Sequence, residues 1–133
     1  MTESFRLGHI AGVRVGAHWS VLAVLALITV GLAAGRLPLV APGRSTAAYA
    51  AAGIITAVVF LASLVAHEVS HAIVARRNGL DVDRITLWLF GGVAMLRGEA
   101  ASPGADLRIA GIGPAVSALL GLAFFGAAAF ADA

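Results

Sequence analysis

The chain has 133 residues, of which 60% are hydrophobic and 12% are charged. Soluble domains carry about 25% charged residues, and so small a share cannot cover the surface of a small water-soluble fold. The composition therefore excludes a soluble globular protein, and it excludes intrinsic disorder, which requires low hydrophobicity and high charge.

The charged residues are nine arginines, no lysine and seven acids, which give a formal net charge of +2. The arginines are scattered among apolar runs and form no basic stripe with interleaved aromatic residues, so we expect no nucleic-acid partner. Cysteine is absent. This excludes disulfides, a thiolate metal site and a cysteine nucleophile.

Three long apolar stretches predict membrane-spanning helices at about 15–35, 45–75 and 109–131. A helix needs about 20 apolar residues to cross a hydrocarbon core of about 30 Å, and each stretch is long enough. Asn78-Gly79 is a plausible C-terminal cap for the second helix. The alternative for the first stretch is a signal peptide, but its apolar run is longer than usual and further spans follow.

The distribution of arginine predicts the orientation in the membrane. Seven arginines lie in the N-terminal segment and in the 76–108 loop, whereas the 36–44 loop carries two. Because cytoplasmic loops are enriched in arginine and lysine, we expect the N-terminus and residues 76–108 to be cytoplasmic.

The segment 85–96 departs from the helical pattern. Two runs of β-branched, aromatic and aliphatic residues flank Gly91-Gly92, and this predicts a hairpin that turns at the glycines. At 12 residues the segment is too short to cross a membrane as a helix. An interfacial amphipathic helix is the alternative, although the glycines disfavour it. The predicted fold is thus an α-helical integral membrane protein with about three transmembrane helices and a small membrane-associated β-hairpin between the second and third.

The motif that indicates chemistry is His67-Glu68-Val69-Ser70-His71. Two histidines four residues apart on a helix project from one face, about 6 Å apart along the axis, so both can bind one zinc ion. Glu68 is then placed to take a proton from the water on that ion, whose pKa zinc lowers to about 7. Ionisable side chains inside a membrane span mark function by default. The structural alternative is that the two histidines only pack between helices and that the glutamate side chain reaches toward the membrane interface.

In four places the chain resembles the site-2 protease family of intramembrane zinc metalloproteases, specifically its small bacterial forms. The zinc motif at 67–71, followed by the Phe90-Gly91-Gly92-Val93-Ala94 segment, is specific. Two weaker matches are Phe5-Arg6-Leu7-Gly8 with His18-Trp19-Ser20, and Gly113-Pro114 followed by Ser117.

The resemblance implies an endopeptidase of the bacterial inner membrane that holds one Zn²⁺ ion and cleaves membrane-spanning protein substrates in the lipid bilayer. It implies His67 and His71 as metal ligands and Glu68 as the catalytic base. The hairpin could hold an extended substrate by strand addition, and the residues expected to bind substrate are Leu87, Phe90, Gly91, Gly92 and Val93.

One departure from the family concerns the third zinc ligand. A catalytic zinc site has three protein ligands and one open position. In the family the third is an aspartate in a Leu-Asp-Gly context on a later helix, whereas Leu80-Asp81 here precedes Val82 and directly follows the zinc helix. We therefore expect the chain to be incomplete at its C-terminus and inactive alone. Five substitute ligands are weaker alternatives: His9, His18, Asp83, Glu99 and Asp106.

The competing function is a non-catalytic membrane protein, either a pseudoprotease or a fragment, that binds zinc or a partner without turnover. A pure transporter or structural protein would leave Glu68 unexplained.

Overall fold

A computed structural model describes residues 4–98 and 100–131. Four strands and three long helical segments follow one another along the chain. In order they are β1 (Phe5–Ile10), β2 (Val13–Ala17), α1 (Ser20–Val40), α2 (Thr46–Arg77), β3 (Asp81–Trp88), β4 (Gly91–Arg97) and α3 (Pro103–Ala131). Within α1 the stretch Gly31–Arg36 is π-helical.

The three helical segments are each long and apolar enough to cross a membrane. This agrees with the predicted number, and α2 lies within two residues of the predicted bounds at both ends. The first prediction was wrong at its start, because residues 15–17 belong to β2 and the helix begins at Ser20. The third helix begins at Pro103, six residues before the predicted start.

The strands form one sheet in the order β1-β2-β3-β4. The predicted hairpin is present as the antiparallel pair β3–β4, but it is longer than 85–96 and is half of a larger sheet. Sequence analysis did not predict β1 and β2, which form an antiparallel pair of their own. The two hairpins join through parallel pairing of β2 with β3.

The turn of the β3–β4 hairpin differs from the prediction. Trp88 pairs with Gly91 and Leu87 pairs with Gly92, so the two-residue turn is Leu89-Phe90. Both glycines lie in β4. The glycine pair is therefore not the turn, and Gly92 has a steric role at the candidate site that is described below.

The main core lies between the sheet and the C-terminal half of α2. The buried apolar side chains alternate along β2 and along β3 from Ile85, as expected for strands with one covered face, and the register shift between Val82 and Arg84 interrupts the alternation. They meet small residues on α2, which let the helix lie close to the sheet. The cluster consists of Val13, Val15, Ala17, Val21, Val69, Ala72, Ala75, Leu80, Val82, Ile85 and Leu87.

The helices pack on one another through small residues. A Cβ atom on Gly53 of α2 would lie 2.7 Å from the Thr29 carbonyl oxygen of α1, so glycine permits this approach. Away from these contacts the helices expose large apolar side chains, including Leu27, Phe125 and Phe130. Contiguous apolar surface of this kind is typical of contact with lipid or with another protein.

The sheet lies at one end of the helical bundle. The chain enters α1 from β2, leaves α2 into β3 and enters α3 after β4, so one end of each helix adjoins the sheet. Seven of the nine arginines belong to this end: Arg6, Arg14, Arg76, Arg77, Arg84, Arg97 and Arg108.

Candidate metal centre

The two histidines of the predicted motif lie one helical turn apart on α2 and face the same point. The Nε2 atoms of His67 and His71 are 3.1 Å apart, and the two ring centroids are 4.8 Å apart in an edge-on arrangement. Both side chains are half-buried. The helix therefore brings two potential ligand atoms together, as the four-residue spacing predicts.

Helix α3 holds the other nitrogen of each imidazole ring. The Nδ1 atom of His67 is 2.8 Å from Ser117 Oγ. The Nδ1 atom of His71 is 2.5 Å from the carbonyl oxygen of Ile109. Histidines that bind metals usually engage a hydrogen-bond partner at the remote ring nitrogen, which fixes the orientation of the ring. These two contacts supply such partners.

The distance between the two Nε2 atoms fits a shared zinc ion. Two ligands bound at about 2.0–2.1 Å with a tetrahedral angle between them lie about 3.3–3.4 Å apart. The observed 3.1 Å differs from that separation by a few tenths of an ångström. The donor set of two imidazole nitrogens also suits zinc, which prefers nitrogen and sulfur ligands.

Gly113 of α3 leaves the space in front of the two nitrogens open. It is buried between the helices. A Cβ atom there would lie 2.6 Å from His67 Nε2 and closer still to His71 Nε2. Real carbon atoms do not approach ring nitrogens so closely, so only glycine allows α3 to lie at this depth with both rings in place.

The carboxylate of Glu68 is held beside the histidines by the sheet. The backbone N–H of Gly92 donates a hydrogen bond to Glu68 Oε1 over 3.0 Å. A Cβ atom on Gly92 would overlap the Glu68 carboxylate, so any other residue would displace it. The strand β4 thus fixes the position of the predicted base.

A cavity of about 330 Å³ opens beside these groups. It is lined by residues of α2, of the hairpin and of α3: Phe60, Ser63, Leu64, His67, Glu68, Phe90, Gly91 and Ser117. Apart from Ser63, the polar side chains that line it are those of the candidate centre.

The five residues expected to bind substrate do not lie together. Phe90 is 80% exposed and lines the cavity with Gly91, and Gly92 contacts Glu68. The side chain of Leu87 is fully buried in the core. Val93 follows Gly92 and therefore points to the opposite face of the sheet, where it lines a separate groove.

Residues 4–98 and 100–131 hold no group of three or more histidine, cysteine, aspartate or glutamate side chains able to bind one ion. His9, His18, Asp83 and Asp106 therefore do not complete the His67–His71 pair in this arrangement. Glu99, the fifth alternative ligand, lies outside the described residues.

Three residues of the centre received no role there from sequence analysis. Gly113 and Ser117 lie four residues apart, so they project from one face of α3 toward α2. The signal for Ser117 is a polar residue in the apolar part of the helix that follows Arg108, on the same face as a glycine. Gly92 was assigned to a turn and to substrate binding, and its proximity to Glu68 depends on a packing that no local pattern reveals.

Comparison with known proteins identifies the family of the chain. The model of peptidase family M50 matches residues 55–132, which is more than half of the chain and includes the motif. The chain is 51% identical over 124 residues to Rip3 of Mycobacterium tuberculosis, and 36% identical over 122 residues to sll0528 of Synechocystis. Both proteins are named as zinc metalloproteases.

The two alignments cover 93% and 90% of this chain but 31% of each relative. The chain thus spans less than a third of the length of the curated relatives it matches. No solved structure matches the chain. The family match and the identity to these relatives show that the chain belongs to peptidase family M50, the site-2 protease family.

Proposed function

We propose that this protein is a zinc-dependent endopeptidase that cleaves membrane-spanning protein substrates within the bilayer. The observation that carries the proposal is the pair of Nε2 atoms 3.1 Å apart, beside a carboxylate that a sheet strand fixes in place. Both relatives are named as zinc metalloproteases, and this supports zinc as the metal.

The proposed location is the bacterial inner membrane. The three apolar helices expose most of their side chains. A hydrocarbon environment would stabilise them, since removal of apolar area from water contributes about 25 cal/mol of favourable free energy per Å². The sheet end of the bundle carries seven arginines and is proposed to face the cytoplasm. From His67 to Arg76 is about 13 Å of helix, so the centre would lie below the membrane surface on that side.

In the proposed reaction each residue has one task. His67 and His71 hold the ion, which when bound supplies Lewis acidity to polarise a carbonyl group and to acidify water. Glu68 takes a proton from the attacking water and passes it to the leaving amine. Because Oε1 of Glu68 accepts a hydrogen bond from the Gly92 N–H, we assign Oε2 as the oxygen that takes the proton from water.

The substrate is proposed to bind as an extended strand along β4. This strand is at the edge of the sheet, and edge strands offer backbone groups to an added peptide. The N–H of Gly92 points away from β3 toward Glu68. A peptide that continues the sheet at this edge would pass next to the candidate base and the cavity beneath Phe90.

The alternative is a zinc-binding membrane protein without turnover. It is favoured by the absence of a three-ligand group among residues 4–98 and 100–131. Our proposal requires a third ligand from outside that described arrangement.

The test compares wild type, Glu68→Gln and His71→Ala. Each protein is expressed from the native coding sequence and is measured in isolated membranes. Bound zinc is measured by elemental analysis, and new protein termini from single-pass membrane proteins are measured by mass spectrometry. Glu68→Gln keeps both ligands, so we expect zinc without cleavage, whereas His71→Ala should lose both. Zinc binding with no cleavage that depends on Glu68 would favour the non-catalytic alternative.

A further inference from the structure

Three positions spaced by four residues on α3 face the two histidines. Ile109 lies opposite His71, Ser117 lies opposite His67, and Gly113 lies between them. The partners follow the reverse order of the histidines, and they are eight residues apart on α3 whereas the histidines are four apart on α2. Each histidine therefore has its own partner on α3, and the two partners differ chemically.

The partner of His71 allows one tautomer of the neutral ring. A backbone carbonyl oxygen accepts hydrogen bonds and cannot donate, so the contact with Ile109 requires the proton of His71 to be on Nδ1. The Nε2 atom of His71 then carries a lone pair, which points toward His67.

The partner of His67 allows both tautomers. A serine hydroxyl can donate one hydrogen bond and can also accept, so Ser117 Oγ satisfies Nδ1 whether or not that nitrogen carries the proton. Helix α3 thus fixes the proton of one histidine and leaves the proton of the other free to move.

The distance of 3.1 Å between the two Nε2 atoms is compatible with two arrangements. Without a metal, two facing lone pairs would repel, and a hydrogen bond forms instead if His67 carries its proton on Nε2. With a metal bound to both atoms, both lone pairs must face the ion and the proton of His67 must be on Nδ1.

We propose that Ser117 is a positioning residue that lets His67 exchange tautomers when zinc binds. In the metal-free protein the Ser117 hydroxyl donates to Nδ1 of His67, whose Nε2–H donates to Nε2 of His71. On metal binding the Nε2 proton leaves to water, a proton from water joins Nδ1, and the hydroxyl rotates to accept from Nδ1–H. The ring stays neutral, and no proton is gained or lost overall.

This role rests on the proposed zinc site, and Ser63 provides a matched control for it. Ser63 lines the same cavity, but its hydroxyl donates to the carbonyl oxygen of Val59 in its own helix. Ser117 is exposed and makes no contribution to the core cluster, so its replacement should leave the fold intact.

The test is ¹⁵N NMR of the histidine-labelled protein in lipid bilayers, with and without zinc. In the wild type we expect the His67 proton on Nε2 without zinc and on Nδ1 with zinc, and the His71 proton on Nδ1 in both states. A His67 proton on Nδ1 in both states would overturn the proposal while leaving the zinc site standing. A wild-type protein that binds no zinc would overturn both.

Zinc affinity provides the second measurement. Loss of the hydrogen-bond partner of a metal ligand typically weakens metal binding 10- to 100-fold. We therefore expect the zinc affinity of Ser117→Ala to be lower than that of the wild type by about this factor. Ser117→Thr keeps the hydroxyl and Ser63→Ala leaves Ser117 in place, so both should bind zinc as the wild type does. Equal affinity of Ser117→Ala and wild type would contradict the proposed role.

Discussion

Replacement of Gly113 by alanine should strongly weaken zinc binding. The added Cβ would lie 2.6 Å from His67 Nε2 and closer to His71 Nε2, whereas ordinary contacts begin at about 3.4 Å. The rings or the helix must therefore move by about 1 Å. Metal–ligand distances tolerate about 0.2 Å, so we expect the zinc affinity to fall by at least about 100-fold, the upper end of the loss seen for outer-shell changes.

The assay is competition for zinc with a chromogenic chelator in detergent micelles, followed by absorbance. The matched control is Gly111→Ala, two residues earlier on the same helix, where an added Cβ meets nothing within 4 Å. Both changes raise helix propensity by about 1 kcal/mol, so propensity alone cannot separate them. Wild-type zinc affinity in Gly113→Ala would refute the argument that the bare backbone creates the space for the metal.

The remaining predictions concern the base, the helix packing and the topology. Gly92→Ala should abolish cleavage but leave zinc affinity near that of wild type, because the three atoms nearest to the added Cβ all belong to Glu68, which it displaces; parallel loss of zinc would contradict this. Gly53→Ala should lower the thermal unfolding temperature, since the 2.7 Å approach to a carbonyl oxygen forces two helices apart, and an unchanged temperature would disprove that contact. Reporter fusions should read extracytoplasmic in the 41–45 loop and cytoplasmic in the 98–102 loop, and the opposite result would reverse the orientation.

Helix α2 could be predicted closely because its signals are local. Apolar length and an Asn-Gly end act within a few residues, and the observed helix runs from Thr46 to Arg77, with Ser45 as its N-cap. The two histidines share a face as a direct result of helical geometry. The residues that surround them come from other elements, and their approach depends on packing over the whole chain.

The N-terminal hairpin was not predicted, because the first helix was predicted from the length of an apolar run and not from the alternation of residues within it. Residues 13–17 are uncharged except at Arg14. A count of uncharged residues that begins after Arg14 therefore assigns residues 15–17 to the first helix. The buried face of β2 nevertheless follows a strand period, with Val13, Val15 and Ala17 inward. The turn before it contains Ala11 and Gly12, both at positive φ, as a two-residue hairpin turn requires.

The parallel pairing at the centre of the sheet sets the order in which this protein can assemble. Val15 pairs with Ile85, 70 residues later, and α1 and α2 both lie between them. At a synthesis rate of about 5–20 residues per second, the edge of β2 stays without its partner for about 4–14 s while the two intervening helices are synthesised. An unpaired strand edge is prone to wrong pairing during that interval. Glu68 acquires its partner on β4 only when this delayed sheet closes, so the proposed base is positioned late in biogenesis.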